Sequence, residues 1–209
     1  MKKYLVEFIG TFFLVLTVGM TVIDREPNNF LPALAIGSAL MVMIFAGGHV
    51  SGGHYNPAVT LAVWLRGRCA AADLPGYWIA QIVGGVAAAK LVLLLKGYPV
   101  VTPGNPNAID ALIAEFVGTF ALAYVVLNVA TARGTANNSF YGLAIGFTVL
   151  AMAYALSSVS GGAFNPAVAT GGVVMGLTKA TNLWIYLVGN LAAGAVAAFT
   201  FKFINPEDK

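Results

Sequence analysis

Two copies of one glycine-bearing motif interrupt a chain that is otherwise almost continuously apolar. The first copy runs Ser-Gly-Gly-His-Tyr-Asn-Pro-Ala-Val-Thr over residues 51–60, and the second runs Ser-Gly-Gly-Ala-Phe-Asn-Pro-Ala-Val-Ala over 160–169. Asn is a good N-cap and the following Pro suits the first helical position, so each copy predicts a backbone break that ends in a helix start. Lipid cannot satisfy the freed backbone groups, so such breaks occur at membrane depth where they line a cavity. The pair therefore predicts a pore.

The composition supports a membrane protein. Of 209 residues, 59% are hydrophobic and only 9% are charged, whereas about a quarter of the residues of a soluble domain are charged. The net charge of +3 forms no basic patch, so we expect no nucleic-acid partner. The single cysteine, Cys69, allows no internal disulfide. Glu7 interrupts the N-terminal apolar run and no small-residue cleavage site follows, which favours a retained first span over a signal peptide.

Six apolar segments approach the ~20 residues that a helix needs to cross a bilayer. Two shorter apolar stretches follow the breaks, at about 57–66 and 166–177, and cover about half that distance. The sequence therefore predicts an all-α membrane protein with six transmembrane helices and two re-entrant half-helices. The six long segments lie at about 4–23, 33–50, 77–96, 109–132, 139–159 and 183–203.

The chain also repeats itself. A Glu-Phe-Xaa-Gly-Thr-Phe segment begins at Glu7 and again at Glu115, and Leu-Ala-Ile-Gly at 34–37 returns at 143–146. A unit of three spans is odd, so the second copy enters the membrane from the opposite side, which is an inverted-topology repeat. We expect one channel domain over 1–209, with repeats at about 1–96 and about 109–203 and with the half-helix N-termini meeting near the midplane.

Basic residues predict the orientation. Seven fall on the side of the N-terminus and three on the other, with Lys90 inside the third span. Because basic residues favour the cytoplasmic side, we expect a multi-pass protein of a plasma or inner membrane with both termini cytoplasmic. Arg66 and Arg68 are expected at the cytoplasmic surface. The seven are Lys2, Lys3, Arg66, Arg68, Arg133, Lys202 and Lys209, and the three are Arg25, Lys96 and Lys179.

The predicted pore suits neutral solutes. Two facing helix N-termini place partial positive charge on the path, which disfavours cations. Asn56 and Asn165 can cap their helices through oxygen and keep their NH₂ groups for the lumen. An ion would lose its hydration here, so we expect passive conduction of small uncharged polar molecules across the lipid bilayer. Backbone carbonyls of the two breaks would supply a ladder of acceptors, from Gly52, Gly53, His54 and Tyr55 and from Gly161, Ala163 and Phe164.

These features make the chain resemble the aquaporin and aquaglyceroporin channels, the major intrinsic proteins, over nearly its whole length. The resemblance rests on the Glu-Phe-Xaa-Gly-Thr-Phe segments and on the two Asn-Pro-Ala motifs, Asn56-Pro57-Ala58 and Asn165-Pro166-Ala167. It implies six spans with two half-helices, and a homotetramer in which each subunit has its own pore. It also implies that buried Glu7 and Glu115 anchor the re-entrant loops, a role that we expect of His54 as well.

One departure from the family pattern bears on the solute. The family normally has an arginine of the outer selectivity filter directly after the second Asn-Pro-Ala, where this chain has Val168. The other filter positions correspond to Ile36, Ala153 and Gly162, and Ala169 replaces the aspartate of glycerol-type members. The predicted filter is wide, apolar and uncharged. We expect it to pass glycerol, urea or undissociated metalloid hydroxides, together with water.

Other functions remain as alternatives. A structural or junctional membrane protein with a closed pore would need bulky filter residues. A secondary transporter would need carboxylates for a coupling ion at the breaks, which have none. Glu7 and Glu115 could serve as a proton relay, and His49 and His54 could form a pH-sensing gate. We expect no enzyme, metal site or cofactor, because both histidines flank one break without further ligands at metal-binding spacing.

Overall fold

The structure is a computed structural model that describes residues 1–24 and 29–208. Within these ranges it contains eight α-helices and no β-strand. Six of the helices are long and apolar enough to cross a membrane, and two are short, which confirms the predicted fold class. Arg25 and Lys209 lie outside the described residues. The helices are α1 (Lys2–Val22), α2 (Leu31–Ser51), α3 (Pro57–Leu65), α4 (Leu74–Leu95), α5 (Ala108–Ala130), α6 (Tyr141–Ser160), α7 (Pro166–Val174) and α8 (Leu183–Ile204).

The two short helices begin at the asparagines. Asn56 Oδ1 accepts hydrogen bonds from the N–H groups of Ala58 and Val59, and Asn165 Oδ1 accepts from Ala167. Proline follows at the first position of each helix, where its missing N–H costs nothing. Each helix has nine residues, about 13 Å at 1.5 Å per residue, which is roughly half of a ~30 Å hydrocarbon core.

Glycines allow the helices to pack closely. A methyl group at Gly37 of α2 would lie 2.6 Å from the carbonyl oxygen of Gly146 of α6, and the reverse substitution would give the same distance. A methyl group at Gly85 would lie 2.9 Å from the Ala167 carbonyl oxygen. Main-chain contact of this kind is typical of membrane helices. A methyl group would also lie close to a carbonyl oxygen of a neighbouring helix at three more glycines of α4 and α8: Gly84 at 2.6 Å, Gly189 at 3.2 Å and Gly194 at 2.5 Å.

Contacts between loops distinguish two faces of the helical bundle. On the face that carries both chain ends, here the termini face, Lys3 Nζ lies 2.6 Å from Asp73 Oδ2. On the opposite face, here the far face, Lys96 Nζ donates to the Ile23 carbonyl oxygen at 2.9 Å, and Lys179 Nζ donates to Asn105 Oδ1 at 2.8 Å.

The C-terminal segment crosses the termini face. Asp208 Oδ1 lies 2.6 Å from Arg66 Nη2, and Asp208 Oδ2 accepts the backbone N–H of Arg133 at 2.7 Å. The N–H of Arg133 and the charge of Arg66 hold the pKa of the Asp208 carboxyl below its usual value. Arg66 is buried, with its guanidinium 4.5 Å from the centroid of the Phe201 ring. Arg66 therefore lies at the termini face, but α8 and the segment after it cover its side chain.

Candidate pore

The two half-helices meet with their N-termini facing each other. Asn56 Nδ2 donates to the carbonyl oxygen of Phe164 at 2.8 Å, and Asn165 Nδ2 donates to that of Tyr55, also at 2.8 Å. Each asparagine thus caps its own helix and holds the residue before the other asparagine. One N–H of each amide is used in this way, and the other remains available to the lumen.

Left-handed backbone shapes both loops. The φ angles are 89° at Gly52, 64° at Gly53 and 48° at Tyr55, and the second loop repeats them within a few degrees at Gly161, Gly162 and Phe164. Glycine takes such angles without strain, but an aromatic residue does so only where its surroundings hold it.

Glu7 makes some of the contacts that keep Tyr55 in this backbone conformation. This fully buried carboxylate accepts hydrogen bonds from the backbone N–H of His54 at 2.9 Å and of Tyr55 at 2.6 Å. It also accepts from Ser51 Oγ at 2.7 Å and from Gln81 Nε2 at 2.8 Å. Two of these four donors are loop N–H groups that the break removes from helical pairing, and the carboxylate satisfies them.

Glu115 makes the corresponding contacts in the second loop. It is also fully buried, and it accepts from the backbone N–H of Ala163 at 2.9 Å and of Phe164 at 2.7 Å. The hydroxyl of Ser160 donates to it at 2.7 Å. Both glutamates therefore lie where the resemblance expects loop anchors.

The structure also gives the rings of Tyr55 and Phe164, which were predicted only as carbonyl positions, a packing role that the sequence reasoning missed. The ring of Tyr55 fills the space beside Gly10, where a methyl group would lie 2.1 Å from Tyr55 Cε1. Phe164 fills the matching space beside Gly118, at 2.2 Å. The sequence feature that could have indicated these packing contacts is the aromatic residue directly before each Asn-Pro-Ala motif. Tyr77 and Tyr186 were missed as well, and their hydroxyls donate to the carbonyl oxygens of the serines that end α2 and α6.

A cavity of about 810 Å³, here the far cavity, opens at the far face and runs past both asparagines. All four predicted filter residues line it, and we call them the filter ring: Ile36, Ala153, Gly162 and Val168. No Asp, Glu, Lys or Arg of residues 1–24 and 29–208 lines this cavity.

The predicted carbonyl ladder is only partly at this cavity. Tyr55 does not line the far cavity, and its carbonyl oxygen accepts from Asn165. Gly52 instead lines a second cavity of about 730 Å³ at the termini face, here the termini cavity. The other five predicted positions line the far cavity, namely Gly53, His54, Gly161, Ala163 and Phe164.

The two histidines have different surroundings. His54 is buried, and its Nδ1 lies 3.2 Å from the hydroxyl oxygen of Thr60. His49 is exposed at the end of α2 and lines the termini cavity. The described part of the chain brings no three His, Cys, Asp or Glu residues together as a metal site would require.

A family model for major intrinsic proteins matches residues 1–201. The chain belongs to the major intrinsic protein family. It is 35% identical over 222 residues to the glycerol uptake facilitator protein-like 6 of Lactiplantibacillus plantarum, with the whole of both chains covered. It is 36% identical over 213 residues to aquaporin NIP1-4 of Oryza sativa subsp. japonica, covering 98% of this chain and 77% of the relative.

A solved structure shares the fold. The aquaglyceroporin from Plasmodium falciparum superimposes with a TM-score of 0.84 at 22% identity, over 98% of this chain and 97% of the other. Major intrinsic proteins are channels, that is transporters rather than enzymes, and they conduct water and small solutes within a membrane. The chain is accordingly an integral, multi-pass membrane protein.

Proposed function

We propose that this protein is a passive channel for water and small uncharged solutes, with glycerol, urea and undissociated metalloid hydroxides as the solute class. The far cavity carries the proposal, because it runs past the two half-helix N-termini and has no charged side chain among its described lining residues. A neutral solute would find amide donors and carbonyl acceptors along an otherwise apolar wall.

The half-helix dipoles support selection against cations. The N-termini of α3 and α7 both direct partial positive charge toward the asparagine pair. No carboxylate lines the cavity, in the described ranges, to offset this field or to bind a coupling ion. These properties favour a channel for neutral molecules over an ion-coupled transporter.

The filter ring supports solutes larger than water. The filter ring consists of small or aliphatic residues around a lumen without a fixed charge. Val168 and Ala153 have 8% and 7% of their surfaces exposed. A ring of this kind would demand less exact hydrogen bonding from a solute than an arginine-bearing one. The name of one relative, a glycerol uptake facilitator, agrees with this solute class.

We further propose the assembly and orientation that the family resemblance and the basic residues favour. The chain would form one channel domain over 1–209, built from inverted repeats at about 1–96 and about 109–203 with Asn56 and Asn165 as equivalent positions. The termini face would be cytoplasmic in a plasma or inner membrane, and the protein would be a homotetramer with one pore per subunit.

Stopped-flow light scattering on proteoliposomes tests the function. We expect wild type to pass water, glycerol and urea faster than empty liposomes do. Val168→Arg should lose glycerol and urea permeation and retain water, because it adds bulk and a fixed charge to the filter ring. Val168→Leu is the matched control that adds bulk alone. Wild-type permeability equal to that of empty liposomes, for water and for every solute, would reject the channel and favour a structural protein with a closed pore.

A further inference from the structure

The connection between α4 and α5 reaches the opening of the far cavity at the far face, here the mouth. Residues 104–106 of this connection line the cavity. The backbone N–H of Gly104 donates to the carbonyl oxygen of Leu177, in the connection after α7, at 3.0 Å. Asn107 caps the N-terminus of α5 through its side chain. Asn105 lies between these two fixed points, so the backbone holds its position at the mouth.

A lysine binds the oxygen end of the Asn105 amide. Lys179 Nζ donates to Asn105 Oδ1 at 2.8 Å. An ammonium group has donors and no acceptor, so it pairs with the amide oxygen and not with the amide nitrogen. Lys179 does not itself line the far cavity. It therefore sets, from behind, the orientation of a side chain that belongs to the mouth.

The nitrogen end of the same amide is available to a solute. Asn105 is exposed, and its Nδ2 donates to no other residue of the ranges 1–24 and 29–208. An amide NH₂ group only donates, so the partner that it selects is an oxygen or another acceptor. Hydrogen bonds in a chain polarise one another. The lysine at the oxygen end should therefore make the two N–H groups better donors.

The filter ring provides no comparable donor. It consists of three aliphatic side chains and one glycine, and the backbone N–H of Gly162 already donates to Ser160 Oγ at 3.0 Å. Ile36 lies more than one helical turn inside α2, counted from the far face where this helix begins. A solute that enters the ring gives up hydrogen bonds to water that these side chains do not replace. A donor at the mouth offers one replacement before that loss.

Hydroxyl groups of the same cavity are less selective partners. Ser157 and Ser158 also line the far cavity, but a hydroxyl rotates and can either donate or accept. The Asn105 amide has no such choice while Lys179 binds its oxygen. It is thus a polar group of fixed sense at the mouth, and that sense suits the oxygen atoms of a polyol or an amide.

We propose that Asn105 is a solute-binding residue at the mouth, whose amide NH₂ donates a hydrogen bond to a hydroxyl or carbonyl oxygen of a neutral solute. Lys179 is the positioning residue that holds the amide in this orientation. This inference rests on the proposed channel function. It adds a binding step before the filter ring, and occupancy of that step determines the solute concentration at which the flux saturates.

Saturation of glycerol and urea flux in proteoliposomes tests the proposal. Asn105→Asp keeps an oxygen for Lys179 and replaces the NH₂ group by a second oxygen. We expect the half-saturating concentration to rise about fivefold, as for the loss of one hydrogen bond, with the maximal flux unchanged. Asn107→Asp is the matched control, because it exchanges the same atoms in the same connection at a residue that lines neither cavity. Aspartate caps a helix as well as asparagine does, so this variant should saturate as wild type does.

Two variants of Lys179 separate positioning from charge alone. Lys179→Arg keeps a cationic group that only donates, and we expect its half-saturating concentration to equal that of wild type. Lys179→Met lets the Asn105 amide present either end to the solute, so the half-saturating concentration should rise about twofold. Equal values in Lys179→Met and wild type would overturn the positioning role.

The outcomes separate this inference from the proposed function. Wild-type permeability above that of empty liposomes tests the channel, and the half-saturating concentrations test the mouth. Equal half-saturating concentrations in Asn105→Asp and Asn107→Asp, or a wild-type flux that rises linearly without saturation, would overturn the binding step while the channel stands. A lower maximal flux as the sole change in Asn105→Asp would show a structural role instead. Wild type and all variants at the level of empty liposomes would overturn both proposals.

The side-chain amide of Asn105 gives a second readout that does not depend on flux. Nitrogen-15 NMR of asparagine-labelled protein in lipid nanodiscs observes its Nδ2 signal, which is assigned by its loss in Asn105→Asp. We expect glycerol or urea to shift this signal in a saturable way and to leave the Asn107 signal in place. An Asn105 signal that does not move at solute concentrations that saturate the flux would contradict the binding role.

Discussion

Asn56 and Asn165 each donate a hydrogen bond to the carbonyl oxygen of the residue before the other, and both distances are 2.8 Å. The two half-helices are thereby joined at their first residues. Each asparagine has two tasks, because its oxygen caps its own helix while its nitrogen holds the opposite loop.

Removal of either asparagine should therefore cost more than the loss of a helix cap. We expect Asn56→Ala to lower the free energy of unfolding by about 2–4 kcal/mol, the sum of a lost cap and an unpaired Phe164 carbonyl. Asn107 provides the control, because its Oδ1 caps α5 through Ile109 and Asp110 without a bond to another loop. Asn107→Ala should cost about 1 kcal/mol. Thermal unfolding in detergent compares the two, and equal losses would contradict the double task.

A methyl group at Gly10 should displace the Tyr55 ring. Gly10→Ala would bring Cβ within 2.1 Å of Tyr55 Cε1, and we expect a loss of about 1–3 kcal/mol from overpacking. Gly118→Ala should behave in the same way against Phe164. Gly48→Ala is the control within a helix, since its nearest atom would be 3.7 Å away. Unfolding temperatures in detergent measure all three, and a Gly10→Ala variant as stable as Gly48→Ala would refute the steric argument.

The Asp208 carboxylate should stabilise the termini face in a pH-dependent way. Its pKa in the folded protein lies below the ordinary 3.8, so its stabilisation is present above about pH 4 and is lost as the pH falls through the lower folded value. Asp208→Asn should unfold at a lower temperature than wild type at about pH 7, because Arg66 would be buried without its charged partner. The difference should shrink toward zero as the pH falls below the lowered pKa of the folded protein.

The neighbouring Glu207 is the control for this prediction. Glu207→Gln removes the same charge, but this exposed side chain forms no ion pair with another described residue. We expect its unfolding temperature to match that of wild type at each pH. An Asp208→Asn effect that persists at the lowest pH would show that shape, and not charge, is responsible.

Cys69 offers a test of orientation. It is half-buried, lines the termini cavity, and is the single cysteine of the chain. We expect a membrane-impermeant maleimide to label it from the cytoplasmic side only. Burial raises the pKa of its thiol, so labelling should be slow at neutral pH and accelerate at alkaline pH. Labelling from the external side would reverse the proposed topology.

A cysteine on the far face completes that test. Asn105 is exposed and contacts Lys179 there. In a Cys69→Ser background, Asn105→Cys should be labelled from the external side only. Labelling of both positions from one side would mean that the two faces are not separated by the membrane as proposed.

Local signals made much of the fold predictable. The six long helices follow from apolar runs of sufficient length, and α3 and α7 follow from Asn-Pro pairs whose capping chemistry involves only a few neighbouring residues. The asparagine NH₂ groups were expected to face the lumen, but one N–H of each spans to the other loop. That bond depends on two segments that lie far apart in the sequence.

Contacts between distant residues account for what the sequence did not reveal. Gln81 reaches Glu7 and Thr60 from another helix, and nothing in the local pattern around it indicates that partner. Arg66 was expected at the cytoplasmic surface from its place after the first half-helix, but that place did not indicate its partner Asp208, more than a hundred positions away. Tertiary geometry decided both cases.

The crossing of α2 and α6 at Gly37 and Gly146 has a consequence for the evolution of the lumen. Main-chain atoms set the separation of these helices, while Ile36, the neighbour of Gly37, lines the lumen. At this crossing, the side chain that faces the lumen is therefore not the one that sets the separation of the two helices. Single inherited substitutions at position 36 can therefore alter the wall of the lumen without compensating changes at this helix crossing.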